Sequence, residues 1–130
     1  MRVSRSGSQC RGRYRHPSDK NPAPLDPNFR GFARLVTDTS GRYRFRTIKP
    51  GRYRTAGGDI RPPYIHFTVE GRFDRLVTQL YFAGEPENKT DRWLNAAPRP
   101  ERLVAALQTP PPHLKRCGLV AHFDIVLACG

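Results

Sequence analysis

The run Arg61-Pro62-Pro63-Tyr64-Ile65-His66-Phe67 holds the residue types best suited to metal chemistry in this chain. Tyr64 and His66 stand two apart in an alternating segment, and on a strand that spacing points both side chains to one face. A phenolate and an imidazole on one face can bind a transition metal, and phenolate oxygen suits a hard ferric ion. The same spacing also describes a half-buried strand carrying an aromatic pair. Arg61 precedes the pair across two prolines, which stiffen the approach. His113 and His122 have no neighbours that suggest a ligand set, and Trp93 reads as a packing residue beside an Asp91-Arg92 turn.

Strand signals supply the elements that must hold these residues. Phe32 to Thr37 is a short apolar run, Asp38-Thr39-Ser40-Gly41 is a turn by composition, and Arg42 to Ile48 alternates. Tyr43, Phe45 and Thr47 should face one way and the arginines the other, so the two runs read as a hairpin. Tyr64 to Val69, Leu76 to Phe82 and Leu119 to Leu127 are further strands, with turn residues between them. One short helix is expected near the C-terminus, over Pro100 to Leu107, stopped by Pro110, Pro111 and Pro112. Many short strands with so little helix predict an all-β fold, an antiparallel β-sandwich. Residues 1–12 are polar and patternless and are expected to be poorly ordered, leaving 13–130 as the domain; Pro17 to Asn28 should be a proline-rich loop.

The 130 residues suit one domain with a real core. The net charge of +12 raises the possibility of a polyanionic partner. The arginines are scattered singly, however, so a basic nucleic-acid-binding module is a secondary alternative and nucleic acid is not the expected partner. Cys10, Cys117 and Cys129 form no CxxC pair, which points away from a zinc site or disulfide framework and towards a reducing cytoplasm. No apolar run reaches membrane-spanning length, and no apolar stretch follows the basic N-terminus, so neither a membrane nor secretion is expected.

Five segments in order resemble the intradiol ring-cleavage dioxygenases, most closely the β-type subunits of the protocatechuate-cleaving branch. They are Gly12-Arg13-Tyr14-Arg15-His16; Pro24 to Gly51, with LDPNF, a TD-x-x-G turn and YRFRTIKPG; Arg61 to Phe67; Thr78-Gln79-Leu80-Tyr81-Phe82; and, at the end, His122-Phe123 with Asp124-Ile125-Val126-Leu127. The Lys49-Pro50-Gly51-Arg52-Tyr53 stretch continues the second of these. Relative to such subunits the chain is N-terminally shortened. The resemblance implies a β-sandwich of intradiol dioxygenase type and a non-haem Fe(III) cofactor. It implies opening of a catecholic aromatic acid by O₂ to a cis,cis-muconate, and assembly with an α-type subunit or as a homo-oligomer.

Carried over residue by residue, the resemblance places metal ligands at Tyr14, Tyr53, His66 and, where the family has a histidine, Tyr64. It makes Arg61 and Gln79 catalytic, Arg61 stabilising activated substrate by its charge, and puts Tyr81 and His16 at the substrate pocket. Four departures bear on activity, the N-terminal shortening and three at the site itself. A third phenolate at Tyr64 would make the site more anionic and iron a weaker Lewis acid; alternatively the ring does not reach, leaving Tyr14, Tyr53 and His66. The loop between Tyr53 and Arg61 is short and lacks the family's tryptophans. Arg52 replaces a proline, adding a charge near the site. The departures leave open a second reading, a non-catalytic or degraded dioxygenase-like subunit with impaired iron binding.

Overall fold

The computed structural model describes residues 2–6, 31–112 and 118–128. A five-stranded sheet organises them. Its strands are β1 (Arg2–Ser6), β2 (Phe32–Arg34), β5 (Tyr64–Glu70), β6 (Arg75–Phe82) and β7 (Val104–Ala105), in the spatial order β2-β1-β5-β6-β7. β3 (Tyr53–Arg54) and β4 (Ile60–Arg61) form a separate two-stranded ribbon. All pairings are antiparallel except β6 with β7, which is parallel.

β5 and β6 form the central hairpin, closed by Gly71 N donating to Asp74 O at 2.8 Å. Their register sets Tyr64 opposite Tyr81, Ile65 opposite Leu80, and His66 opposite Gln79. Because side chains alternate, the pairing divides the sheet into two chemically distinct faces. Ile65, Phe67, Leu80, Phe82 and Ala105 make the apolar core face. Tyr64 and Tyr81 head the opposite face and pack with Leu94.

Two extended segments cover the core face. Tyr43 and Phe45 come from one, Phe123 and Ile125 from the other. Phe67 is fully buried. Its ring stands edge-on to Tyr43 and Phe45, at centroid distances of 6.1 and 6.0 Å, and 5.4 Å from Phe123. The Tyr43 hydroxyl donates to Phe123 O at 2.6 Å and ties the two segments together.

Burial, then the nearby Asp124 carboxylate, push the Tyr43 phenol up to about 12. The folded chain therefore keeps a proton that the unfolded chain releases above its ordinary value of 10.0. Stability should be intact below that value and decline as pH rises through 12. Denaturant midpoints measured up this alkaline range should fall in the parent and fall less in Tyr43→Phe; equal slopes would contradict the account.

Several expectations need correction. The turn at Asp38 forms, with Asp38 Oδ1 accepting from Ser40 N and Arg42 N at 2.9 and 2.8 Å. β2, however, pairs with β1 rather than with residues 42–48, which stay extended outside any ladder. Tyr43 and Phe45 face inward as the alternation requires, while Thr47 is exposed. Arg2–Ser6, expected to lack order, pairs with β2 and β5; the rest of that segment and the proline-rich loop lie outside the described residues.

The helix expected over Pro100 to Leu107 is a single 3₁₀ turn, Pro100–Leu103, followed directly by β7. Four residues give too few hydrogen bonds to propagate a helix, and β-branched Val104 takes a place beside Tyr81 in the sheet. The α-helix stands earlier, at α1 (Arg92–Asn95), capped by Asp91, whose carboxylate accepts from Leu94 N. Leu119 to Leu127 is extended with alternating burial, but pairs only through an isolated bridge between Val120 and Gln108. Among the described residues, no helix is long and apolar enough to cross a membrane.

Candidate active site

The polar face of the β5–β6 hairpin meets the β3–β4 ribbon here. The ribbon turns through Thr55 to Gly58, where Gly58 adopts φ 94°, a conformation that a side chain would strain. Its register puts Tyr53 directly opposite Arg61. Pro62 and Pro63, both buried, then interrupt ladder pairing and hand the chain on to Tyr64 in β5. Short-range geometry thus delivers Tyr53, Arg61 and Tyr64 to one place.

The Tyr53 and Tyr64 phenol oxygens lie 2.9 Å apart, within hydrogen-bonding distance. The Arg61 guanidinium lies over the Tyr64 ring, 4.3 Å from its centroid. Arg61 is only 7% exposed, and a buried charge at such a site needs a counter-ion. Asp91, 4% exposed, provides it. Arg61 Nε donates to Asp91 Oδ2 at 2.7 Å, and Nη2 donates to Asp91 Oδ1 at 3.2 Å, to Gln79 Oε1 at 3.0 Å and to Tyr81 Oη at 2.9 Å. Tyr81 Oη lies 2.6 Å from Gln79 Oε1.

The electrostatics follow from this packing. Burial alone would lower the Arg61 pKa, but the Asp91 hydrogen bond and the neighbouring Tyr64 and Tyr53 phenols raise it, so the guanidinium stays charged. Burial works to raise Asp91; Arg61 and the Leu94 amide outweigh it and hold the carboxyl below its usual range. Burial, followed by the Asp91 charge, raises the Tyr81 phenol and keeps it protonated. His66 is half-buried, and burial together with the Arg61 charge lowers its pKa, favouring the neutral imidazole that a metal requires.

Of the residues expected at the site, Tyr53, Arg61, Tyr64, Gln79 and Tyr81 are joined in one network. His66 shares their face of the sheet, opposite Gln79. Tyr14 and His16 lie outside the described residues. Arg52 does not add its charge to the phenol pair: its Nη1 donates to Glu87 Oε1 at 2.7 Å, while Lys49 pairs with Glu85. These two ion pairs fasten the loop leading into Tyr53 to the 3₁₀ turn Pro86–Lys89. The Arg52 bond also lowers the Glu87 carboxyl.

Sequence reasoning missed Asp91, which lies 30 residues from Arg61 and showed only as a turn residue. Its position before Arg92-Trp93-Leu94 as an N-cap was the available signal. Trp93, read as packing, is 53% exposed and lines a cleft of about 540 Å³ together with Gln79, Tyr81, Arg102 and Leu103. The cleft opens on the β6 side of the network; Tyr53, Tyr64 and His66 do not line it.

A strand-borne phenol pair beside a buried arginine, on a mostly β framework, defines a class already suggested by the sequence motifs. Residues 5–129 match the family described as Dioxygenase, and the chain belongs to the intradiol dioxygenases. Over 79 residues it is 53% identical to the protocatechuate 3,4-dioxygenase beta chain of Burkholderia cepacia, covering 58% of this chain and 34% of that one. Over 111 residues it is 33% identical to the alpha chain from the same organism, covering 80% of this chain and 54% of the relative. Among solved structures it is similar to mercury-inhibited catechol 1,2-dioxygenase from Acinetobacter sp. ADP1, with TM-score 0.60 and 29% identity, over 79% of this chain and 41% of that one. The chain therefore spans 34% and 54% of the length of these two curated relatives.

Proposed function

We propose that this chain binds Fe(III) and uses O₂ to open a catecholic aromatic acid of the protocatechuate type, giving a cis,cis-muconate. The observation that carries the reading is the adjacent phenol pair, Tyr53 and Tyr64, 2.9 Å apart beside the buried Arg61. The donor set fits a ferric ion. Phenol oxygens are hard anionic donors once deprotonated, and His66 on the same strand face as Tyr64 supplies a neutral imidazole. Tyr53, Tyr64 and His66, with Tyr14, would hold the metal. When bound, Fe(III) supplies Lewis acidity and a template for the catecholate.

The chain's own residues do the rest. Arg61 holds a fixed positive charge where an anionic substrate would lie, and Gln79 and Tyr81 keep that charge in place. The neighbouring cleft, walled by Trp93 and Leu103 with Arg102 at hand, would admit an aromatic acid. The extended segments over the core face would be the second layer of the expected β-sandwich. Assembly with an α-type subunit in the cytoplasm completes the reading, supported by the likeness to both chains of the two-chain enzyme.

A specific observation favours a second reading. The Tyr53–Tyr64 hydrogen bond makes the two phenols partners of each other, an arrangement open to a non-catalytic dioxygenase-like subunit with impaired iron binding. Metal content after expression with added iron separates the two. His66→Ala should abolish iron binding, while Tyr64→His should raise it above the parent level. Unchanged iron in both variants would count against the assigned site.

A further inference from the structure

The arginine fork has two sides, and in Arg61 they are used unequally. Nε and Nη2 are engaged by Asp91, Gln79 and Tyr81 at 2.7 to 3.2 Å. Nη1 meets only the Tyr53 phenol oxygen among the described residues, at 3.5 Å. The free end of the fork is therefore the end that faces the phenol pair. We propose that Asp91 is a positioning residue: it fixes the Nε–Nη2 edge of Arg61, so that Nη1 alone presents the charge to an anionic oxygen beside Tyr53 and Tyr64. The proposal rests on the reading of this site as a ring-cleavage centre.

Rigidity says which partner sets the geometry. Asp91 is anchored on every side: Oδ1 accepts from Leu94 N at 2.8 Å, its amide donates to Glu87 O at 3.0 Å, and its carbonyl accepts from Asn95 Nδ2 at 2.7 Å. Arg61 hangs on a long side chain with many rotamers. A short, anchored carboxylate therefore dictates where the long side chain comes to rest. Arg61 then meets substrate end-on through one nitrogen. Its bidentate grip is already spent on Asp91, so it is not available to clamp a substrate carboxylate.

The test compares Asp91→Asn with Asp91→Glu in the full chain. Asparagine caps a helix about as well as aspartate but carries no charge; glutamate keeps the charge but caps poorly. The readout is hydrogen exchange at Arg61 Nε–H, in protein carrying ¹⁵N-labelled arginine, with the signal identified by its loss in Arg61→Lys. Asp91→Asn should speed that exchange by more than about tenfold while the Leu94 amide stays protected. Asp91→Glu should expose the Leu94 amide while keeping Nε–H more protected than in Asp91→Asn.

In the iron-loaded protein, Asp91→Asn should lower kcat by about tenfold to a hundredfold and change KM for a catechol much less. Equal Nε–H protection in the parent and Asp91→Asn would overturn the proposal. If Asp91→Asn does not fold, Asp91→Ser, which also caps without a charge, replaces it, and Nε–H protection equal to the parent's there overturns the proposal. Shifted exchange in a chain that never opens a catechol would refute the ring-cleavage reading and leave the positioning role intact.

Discussion

Replacing Arg61 with methionine should destabilise the fold by about 3–5 kcal/mol and, in iron-loaded protein, reduce ring cleavage by about a hundredfold or more. The stability loss comes from what remains behind. Asp91, 4% exposed, would stay buried without its counter-ion, and Gln79 and Tyr81 would lose a shared donor. The double change Arg61→Met with Asp91→Asn removes both charges and keeps the cap on α1. It should regain at least about 2 kcal/mol over the single variant while leaving ring cleavage lost. Urea unfolding of the parent, the two single variants and the double completes the cycle. Additive losses would show that the ion pair is not the coupled unit described above.

Phe67→Ala should be the most damaging core substitution, costing about 3–5 kcal/mol. Phe67 is fully buried, with Tyr43, Phe45 and Phe123 around its ring. Those three residues come from the two extended segments, which have few ladder hydrogen bonds of their own. They rest on the sheet through this aromatic contact, and the Tyr43 to Phe123 bond ties them to each other. A domain of this size is stable by only about 5–15 kcal/mol, so the variant should be partly unfolded at modest denaturant. Phe67→Leu keeps most of the volume and should cost about 1.5 kcal/mol or a little more. A loss below about 1 kcal/mol for Phe67→Ala would mean that the segments are held by something else.

Local geometry was readable from the residues. Period-two alternation placed Tyr64 with His66, and Tyr43 with Phe45, because a strand leaves little freedom in where successive side chains point. The turn at Asp38 was legible because its carboxylate bonds its own neighbours. Contacts across long stretches of chain were not. Nothing in the run near Arg52 reveals that Glu87 takes up its charge, and nothing near Arg61 names Asp91. The supposed helix at Pro100 failed for a related reason: Val104 found a strand partner in Tyr81, a choice that depends on where β6 lies. Tyr53, Gln79 and Tyr81 were candidate site residues through the family's motifs, and the sheet register explains why they meet.

A ferric site built on tyrosines would give this chain both bound iron and colour. The visible spectrum and iron content of the full chain, purified after expression in iron-supplemented medium, test it most directly. Bound iron and a red-brown protein are expected, coloured by charge transfer from tyrosinate to Fe(III), with the colour lost in His66→Ala. A folded, colourless, iron-free protein would contradict it.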